Sequence, residues 1–260
     1  MDHSYPKIEG IYYAVKFYHR MLGFLDPTDS TVVQSMLEAA KRMLCHKINK
    51  KKPITVAHLH QLYRLLILDS NTLSDQRTMV VCLLGFCGFM RYSEICNLQR
   101  SDIYFESTYV KLFIEKSKTD IYREGNWIYL SKSGSVLCPV ENLTAYLRLA
   151  KVHQRSDEYV FRAITVFKKL QVEELRHTNR PLSYSRMRDI LLDSLAKIGL
   201  DPKLFGLHSL RSGGATSAAN AGVPDRLFKR HGRWRSDRAK DGYVEDCLTS
   251  LLSVSQSLGI

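Results

Sequence analysis

The amino-acid sequence predicts a mostly α-helical protein with one small antiparallel β-sheet. Apolar residues recur near a 3.6-residue period through several long segments. One stretch, Met79–Met90, is apolar on nearly every side, as a helix at the centre of a core is. Between the helical segments lies a short region rich in aromatic and β-branched residues, interrupted by a polar, turn-prone run.

In chain order, residues 1–50 read as helical, with Asp29 or Ser30 capping a helix through VVQSMLEAAKRML. The basic run HKINKKKP follows and ends at Pro53. It reads either as a basic connector between two lobes or as a solvated helix end. The chain therefore divides into residues 1–50 and 51–260. Thr55–Leu68 is amphipathic, with Leu59, Leu62, Leu65 and Leu66 on one side. Ser74 is placed to cap the next helix, which runs into the apolar stretch. Arg91 follows that stretch directly, and a charge there needs a partner or a function. The segments Tyr109–Glu115 (YVKLFIE) and Asn126–Leu130 (NWIYL) read as strands of a hairpin or three-stranded sheet, with KSKTDIYREG between them. Helical patterns return over Pro139–Val152, Ser183–Ile198, His208–Ala221 and Pro224–His231, punctuated by Gly199, Gly206, Gly222 and Gly232.

The chain has 260 residues, 45% hydrophobic and 25% charged, which suits an ordinary globular protein. Its net charge of +12 suits a polyanion binder, or simply a basic protein. No apolar run reaches the roughly 18 residues a membrane span needs. Residues Met1–Gly10 lack the regions of a signal peptide, so an intracellular location is expected. The six cysteines form no C-x-x-C pair and no zinc-type spacing with histidine. Cys82 and Cys87, inside VVCLLGFCGFM, read as buried reduced thiols.

Four local patterns carry chemistry. In GLHSLRSGGAT (206–216), His208 and Arg211 are three apart and share one face of a helix's first turn, where an anion is favoured. The following Gly213, Gly214 and Ala215 let another backbone approach closely. In GFMRYSEICNL (88–98), Glu94 stands three after Arg91, either to orient its guanidinium or as a structural ion pair. Lys118 lies in the hairpin loop, with Lys116 beside it as a competitor. In HGRWRSDRAKDGYVED (231–246), Trp234 and Tyr243 are nine apart, and either act together or anchor the segment to the core.

Together these patterns resemble the tyrosine recombinase, or phage integrase, family over residues 53–246. That family runs in the order Arg, Lys, His-x-x-Arg, His or Trp, then Tyr. Here the order is Arg91, Lys118, His208, Arg211, Trp234, Tyr243. The Arg-x-x-Glu start and the Ser-Lys-Thr of the hairpin also match. The Trp-to-Tyr gap selects Trp234 over His231, which is expected to cap or pack its helix.

The resemblance implies a tyrosine recombinase-like catalytic domain over 51–260, preceded by part of a helical, core-binding-like domain in 1–50. It implies a site-specific DNA recombinase or integrase. Tyr243 would attack a phosphodiester to give a 3′-phosphotyrosyl intermediate, and strands would exchange through a Holliday junction. Arg91 and Arg211 would clamp the non-bridging oxygens with bidentate hydrogen bonds that lysine cannot reproduce. Trp234 would add an indole donor or position Tyr243, His208 would act as base or hydrogen-bond partner, and Lys118 would protonate the leaving 5′ oxygen. Glu94 would support Arg91. No cofactor or metal is implied. The partners implied are double-stranded DNA and further copies of the chain, dimer to tetramer, in the nucleus if the host is eukaryotic. Two alternatives remain open at this point: a type IB topoisomerase-like relaxation activity, and a domesticated DNA-binding protein that keeps the fold. The family clamps DNA between an N-terminal helical domain and the catalytic domain, and about 50 residues precede the catalytic match here, which puts stand-alone sequence recognition in question. The tail DCLTSLLSVSQSLGI packs either on a neighbour or on its own core.

Overall fold

A reciprocal cap starts the helix on which the architecture is built. Thr72 accepts from the backbone N–H of Asp75, and Asp75 accepts from that of Thr72. The cap therefore falls two residues before the expected one, and Ser74 sits inside the first turn. Thr72 wins because an acidic residue stands three positions on to close the box. In the computed structural model, which describes residues 4–44, 50–117, 124–154, 156–167, 169–170 and 172–259, this helix is α4 of the sequence of elements below.

The chain forms two units, residues 1–50 and 51–260. The first contains α1 (Tyr5–Met21) and α2 (Thr31–Leu44), joined through a 3₁₀ turn at Pro27–Asp29. Asp26 caps that turn by accepting from the Thr28 backbone, and the Tyr12 hydroxyl donates to the Thr28 carbonyl at 3.2 Å. Among its described residues only Thr28 is buried, while Ile11, Phe17 and Met36 are exposed.

The second unit opens with α3 (Val56–Tyr63), capped by Thr55 and His58, and continues through a π-helical turn at Arg64–Leu68. Helix α4 (Leu73–Cys87) is buried from Gln76 to Phe86, as its all-round apolarity requires. It stops at Gly88, three residues short of Arg91. Phe89 takes a positive φ of 45° and Met90 leads into Arg91, the N-cap of the short α5 (Tyr92–Cys96). Next come β1 (Ile103–Phe105), β2 (Tyr109–Ile114) and β3 (Asn126–Ser131), an antiparallel sheet in that order. Its register pairs Leu112 with both Ile103 and Ile128, all three buried, so one face closes the core. Then α6 (Pro139–Leu149) packs on α4.

A second hairpin follows that sequence reading does not find: β4 (Ile164–Phe167) and β5 (Val172–Leu175). Four-residue strands around a polar turn are too short to set up a period-2 signal. The chain continues through α7 (Tyr184–Lys197, capped by Ser183), α8 (His208–Asn220), α9 (Asp225–Gly232), α10 (Asp237–Asp241) and α11 (Leu248–Gln256).

Helix α8 lies against α4 at backbone contact. A Cβ on Gly214 would stand 1.9 Å from the Phe86 carbonyl oxygen, and one on Gly213 would stand 1.9 Å from that of Ile54. The glycines of the HSLRSGGAT stretch therefore allow the close approach anticipated for them. A second, smaller core of Phe89, Ala215, Phe228 and Trp234 builds on this contact, with Tyr243 and Val244 packed against it. On α11, Leu248, Leu251, Leu252 and Val254 are exposed, so this face of the tail does not pack on its own core. Among the described residues no helix is long and apolar enough to cross a membrane, and the described cysteines are free thiols.

Candidate active site

The abrupt end of α4 points a backbone carbonyl at charged side chains. Phe89, with its positive φ, offers its oxygen to both Arg211 and Arg233. Arg211 projects from the first turn of α8 and is 0% exposed. Its Nη1 donates to Phe89 and its Nη2 to the Gly232 carbonyl at 2.6 Å. Its guanidinium carbon lies 4.8 Å from the centre of the Trp234 ring and 4.9 Å from that of Tyr243, a cation–π contact to each of two neighbouring rings.

Arg91 and Arg233 meet through Glu94. The Arg91 Nη1 donates to Glu94 Oε1 at 2.9 Å, and the Arg91 backbone N–H to Oε2 at 2.9 Å. Arg233 Nη2 donates to the same Oε2 at 2.7 Å. Glu94 is only 3% exposed. Burial raises its pKa, but Arg233, the Arg91 amide, Arg211 and Arg91 outweigh that and hold the carboxyl below its ordinary value. Burial first, then the cations Arg91 and Arg233, pull Arg211 down to about 10, so it stays charged at neutral pH.

Three guanidiniums against one carboxylate leave the cluster two positive charges in excess. Three donors within it are also buried without an acceptor: Arg211 Nε, Arg233 Nε and Trp234 Nε1. Buried donors are normally satisfied. A cluster with surplus positive charge and unspent donors is shaped to receive an anion.

Tyr243 is half-buried at the edge of this cluster, its ring 5.6 Å from that of Trp234. Its backbone N–H donates to the Lys240 carbonyl at 2.9 Å. Thr216 of α8 grips the same segment, donating to the Tyr243 carbonyl at 3.4 Å and accepting from the Glu245 N–H at 3.0 Å. Lys240 ties α10 to α9 through Asp225. Trp234 is 6% exposed and packs on Phe89 and Phe228.

Of the residues singled out from sequence, the fold brings together Arg91, Glu94, Arg211, Trp234 and Tyr243. His208 is exposed in the first turn of α8, three residues before Arg211. Lys118 lies outside the described residues, in the connection from β2 to β3. Lys116 is exposed after β2 and lines a cavity of about 140 Å³ with Glu94 and Asp102. His231 packs its helix as expected: its ring meets Phe89 at 4.7 Å, and Nε2 lies 2.8 Å from the Cys87 carbonyl. A carbonyl only accepts, so Nε2 carries the proton. Burial, with Arg233 and Arg211, lowers the pKa of His231 despite that hydrogen bond, which favours the neutral ring.

Arg233 is the residue that sequence reasoning misses. It takes a left-handed conformation (φ 56°) at the end of α9 and donates to Gly88, Phe89, His231 and Glu94. The segment RHGRWRSDR holds several arginines, and composition does not distinguish this one.

Comparison with known proteins follows the same lines. The phage integrase family matches residues 52–246. An integrase/recombinase xerD homolog from Selenomonas ruminantium is 31% identical over 221 residues, covering 85% of this chain and 61% of that protein. The chain thus spans about three fifths of the length of that curated relative. Among solved structures, the Tn1549 transposon integrase in complex with transposon right end DNA has a TM-score of 0.63 at 15% identity, covering 99% of this chain and 81% of that one. The XerH site-specific recombinase in a post-cleavage complex has 0.61 at 13%, covering 88% and 64%. A lambda integrase dimer bound to a core site has 0.53 at 15%, covering 94% and 65%. At these identities the likeness is one of fold.

Proposed function

The chain belongs to the phage integrase family, and from that premise we propose that it breaks and rejoins DNA strands with Tyr243 as the nucleophile. The observation that carries this reading is the buried cluster of Arg91, Arg211 and Arg233 on one carboxylate, with unspent donors beside the Tyr243 ring. In-line attack on a phosphodiester spreads negative charge over two non-bridging oxygens. Donors fixed in advance by backbone carbonyls stabilise that charge without reorganising at the moment of reaction.

In this scheme the Tyr243 oxygen forms a bond to phosphorus and the bond to the 5′ oxygen breaks. Lys118 gives that oxygen its proton. Arg91 and Arg211 hold the non-bridging oxygens, and Trp234 Nε1 adds a donor or positions the tyrosine. His208, exposed at the start of α8, takes the phenol proton or hydrogen-bonds the phosphate. Arg233 and Glu94 are positioning residues that hold Arg91 and the Phe89 turn. The 3′-phosphotyrosyl bond keeps the energy of the broken one, so a free 5′ hydroxyl can attack it and rejoin the strand. Arg211 is fully covered in this arrangement, with the Tyr243 ring among the groups over its guanidinium, so a phosphate reaches it once those groups move. The substrate is double-stranded DNA, on which the chain assembles with further copies of itself as dimer to tetramer and exchanges strands at a specific site through a Holliday junction. The structural relatives described as DNA complexes, and as a dimer in one case, support that assignment.

The test is a nicked duplex whose short 5′-hydroxyl fragment diffuses away after cleavage, incubated over genomic or terminal-repeat sequences. A covalent protein–DNA adduct mapping to Tyr243 is expected, and four-way junctions should form between two duplexes. Relaxation of supercoils without junctions would assign type IB topoisomerase chemistry instead. Tight binding with no adduct on any sequence would leave a DNA-binding protein that keeps the fold.

A further inference from the structure

We propose that the cavity beside the first turn of α4 is a second phosphate-binding site, separate from the one at which the reaction occurs. The cavity is about 710 Å³, bounded by the start of α4, the β4–β5 hairpin, the segment 176–183 and the start of α7. Arg77, Arg176, Arg180 and Arg186 line it, with Glu173 as the lining carboxylate. Four guanidiniums against one carboxylate leave three positive charges in excess.

One of these charges, that of Arg77, is built into the fold, and Arg176, Arg180 and Arg186 stand exposed around it. Arg77 is 3% exposed. Its Nη1 donates to the Arg162 carbonyl at 2.8 Å, its Nη2 to the Ser74 hydroxyl at 3.2 Å, and its Nε is buried with no acceptor. Among the described residues, none of the four lining arginines is ion-paired to a carboxylate, whereas neighbouring Arg162 pairs with Glu158 at 3.2 Å. A buried guanidinium without a counter-ion costs free energy unless something supplies negative charge. Glu173 offsets only part of it: its charge acts on Arg77 through space, and its hydrogen bond is from the Ser74 backbone N–H at 2.8 Å, in the first turn of α4. That contact marks where an anionic oxygen already sits comfortably, at the positive end of the helix. A phosphate offers several such oxygens, and bidentate arginine contacts suit it.

The position favours one source of phosphate. Leu182 lines the cavity, and its carbonyl accepts from the Tyr92 hydroxyl at 2.7 Å. Tyr92 is the next residue after Arg91, so one side chain ties the cavity rim to the reacting end of α4. For a DNA strand held at Arg91, the site would take a flanking phosphodiester of the same DNA. That part rests on the function proposed above. The shared chemistry is the phosphate group, which a free phosphorylated compound also presents.

The experiment uses the full chain carrying Tyr243→Phe, so that no cleavage intervenes. Affinity for a short duplex is followed against sodium chloride, with and without Arg176→Ala plus Arg180→Ala, two exposed residues that the core does not need. The slope of log affinity against log salt should fall by about 0.9, the amount for one phosphate. Glu173→Gln should tighten binding. In parallel, pyrophosphate should raise the melting temperature of the parent and not of the double variant. If the pyrophosphate effect is lost but the DNA slope is unchanged, the phosphate site stands and its ligand is a free phosphate compound. If neither changes, the proposal is overturned. Should the unmodified chain form no adduct while the slope still falls, the cleavage reading fails and this site survives.

Discussion

Helix α4 holds Arg77 in its N-terminal half and leads from its C-terminal end into Arg91, and the arginine clusters at these two places hold their charge in different ways. At the C-terminal end, Arg211 and Arg233 are pinned by the carbonyls of Phe89, Gly232 and Gly88, and Arg233 shares buried Glu94 with Arg91. Aromatic rings cover the guanidinium of Arg211. At the N-terminal end only Arg77 is buried. Arg176 and Arg180 are exposed, and the one lining carboxylate is spent on a backbone amide. Fixed donors in a water-poor site act on charge that develops during a reaction. Mobile donors at an open rim add affinity and salt dependence. Under the two proposals, the contrast separates a chemical end of the helix from a holding end.

The largest effect that tests this contrast is Tyr243→Phe. It removes one hydroxyl and leaves both clusters, so covalent adducts should vanish while affinity for DNA is kept. Adducts in undiminished yield would sink the assignment. Next come Lys118→Ala and Arg211→Lys, which should fail differently. Losing a general acid costs on the order of 10²–10⁴ in rate. A substrate with sulfur in the bridging 5′ position needs no proton to leave, so Lys118→Ala should be largely rescued on it. Arg211→Lys keeps a charge but loses the planar fork, costing about 10²–10³ in rate, with no rescue. If both respond alike, the acid is another residue, and Lys116 is next to test.

What the sequence makes legible follows from how local each signal is. The buried α4, the strands β2 and β3, and the helices α7 to α9 announce themselves by period and by glycine. The convergence of Arg91, Glu94, Arg211, Trp234 and Tyr243 is foreseeable only through the family resemblance, since each short pattern alone also fits a structural role. Arg233 is not, since its role comes from a left-handed backbone and three carbonyls supplied by residues 88, 89 and 231. The cap of α4 shows a local competition: Ser74 has the right chemistry, but Thr72 has Asp75 at the right distance. The second cluster is invisible in sequence, because Arg77 joins Arg176, Arg180 and Arg186 only through the fold.

Glu94→Gln tests whether the chemical end depends on its shared carboxylate. Removing one partner of a buried ion pair costs roughly 3–5 kcal/mol, and here two arginines lose their counter-ion. The pH dependence gives a sign. The folded carboxyl of Glu94 lies below its ordinary value, so its contribution is complete above the unfolded value, about 4.3. It is lost as pH falls through the folded value. Urea unfolding should show the variant weaker at neutral pH and the two proteins converging in acid. A gap that persists unchanged at low pH would mean that the charge of Glu94 is not what stabilises the cluster.

The smallest expected effect separates the two ends by geometry alone. Gly214→Ala places a methyl 1.9 Å from the Phe86 carbonyl oxygen, which is backbone and cannot swing aside. Helices α4 and α8 must shift apart locally, at about 1–3 kcal/mol, the usual range for overpacking. Phe86 lies three residues before Phe89, whose carbonyl holds Arg211 and Arg233. The strain therefore enters the chemical end. Arg77 lies nine residues earlier on α4, in a different part of the core, and its contacts to Ser74 and Arg162 do not involve α8. Gly214→Ala should accordingly lower the melting temperature and slow adduct formation, by less than Arg211→Lys does, while the salt slope of DNA binding stays that of the parent. An equal change in slope would show that the two ends of α4 move as one body.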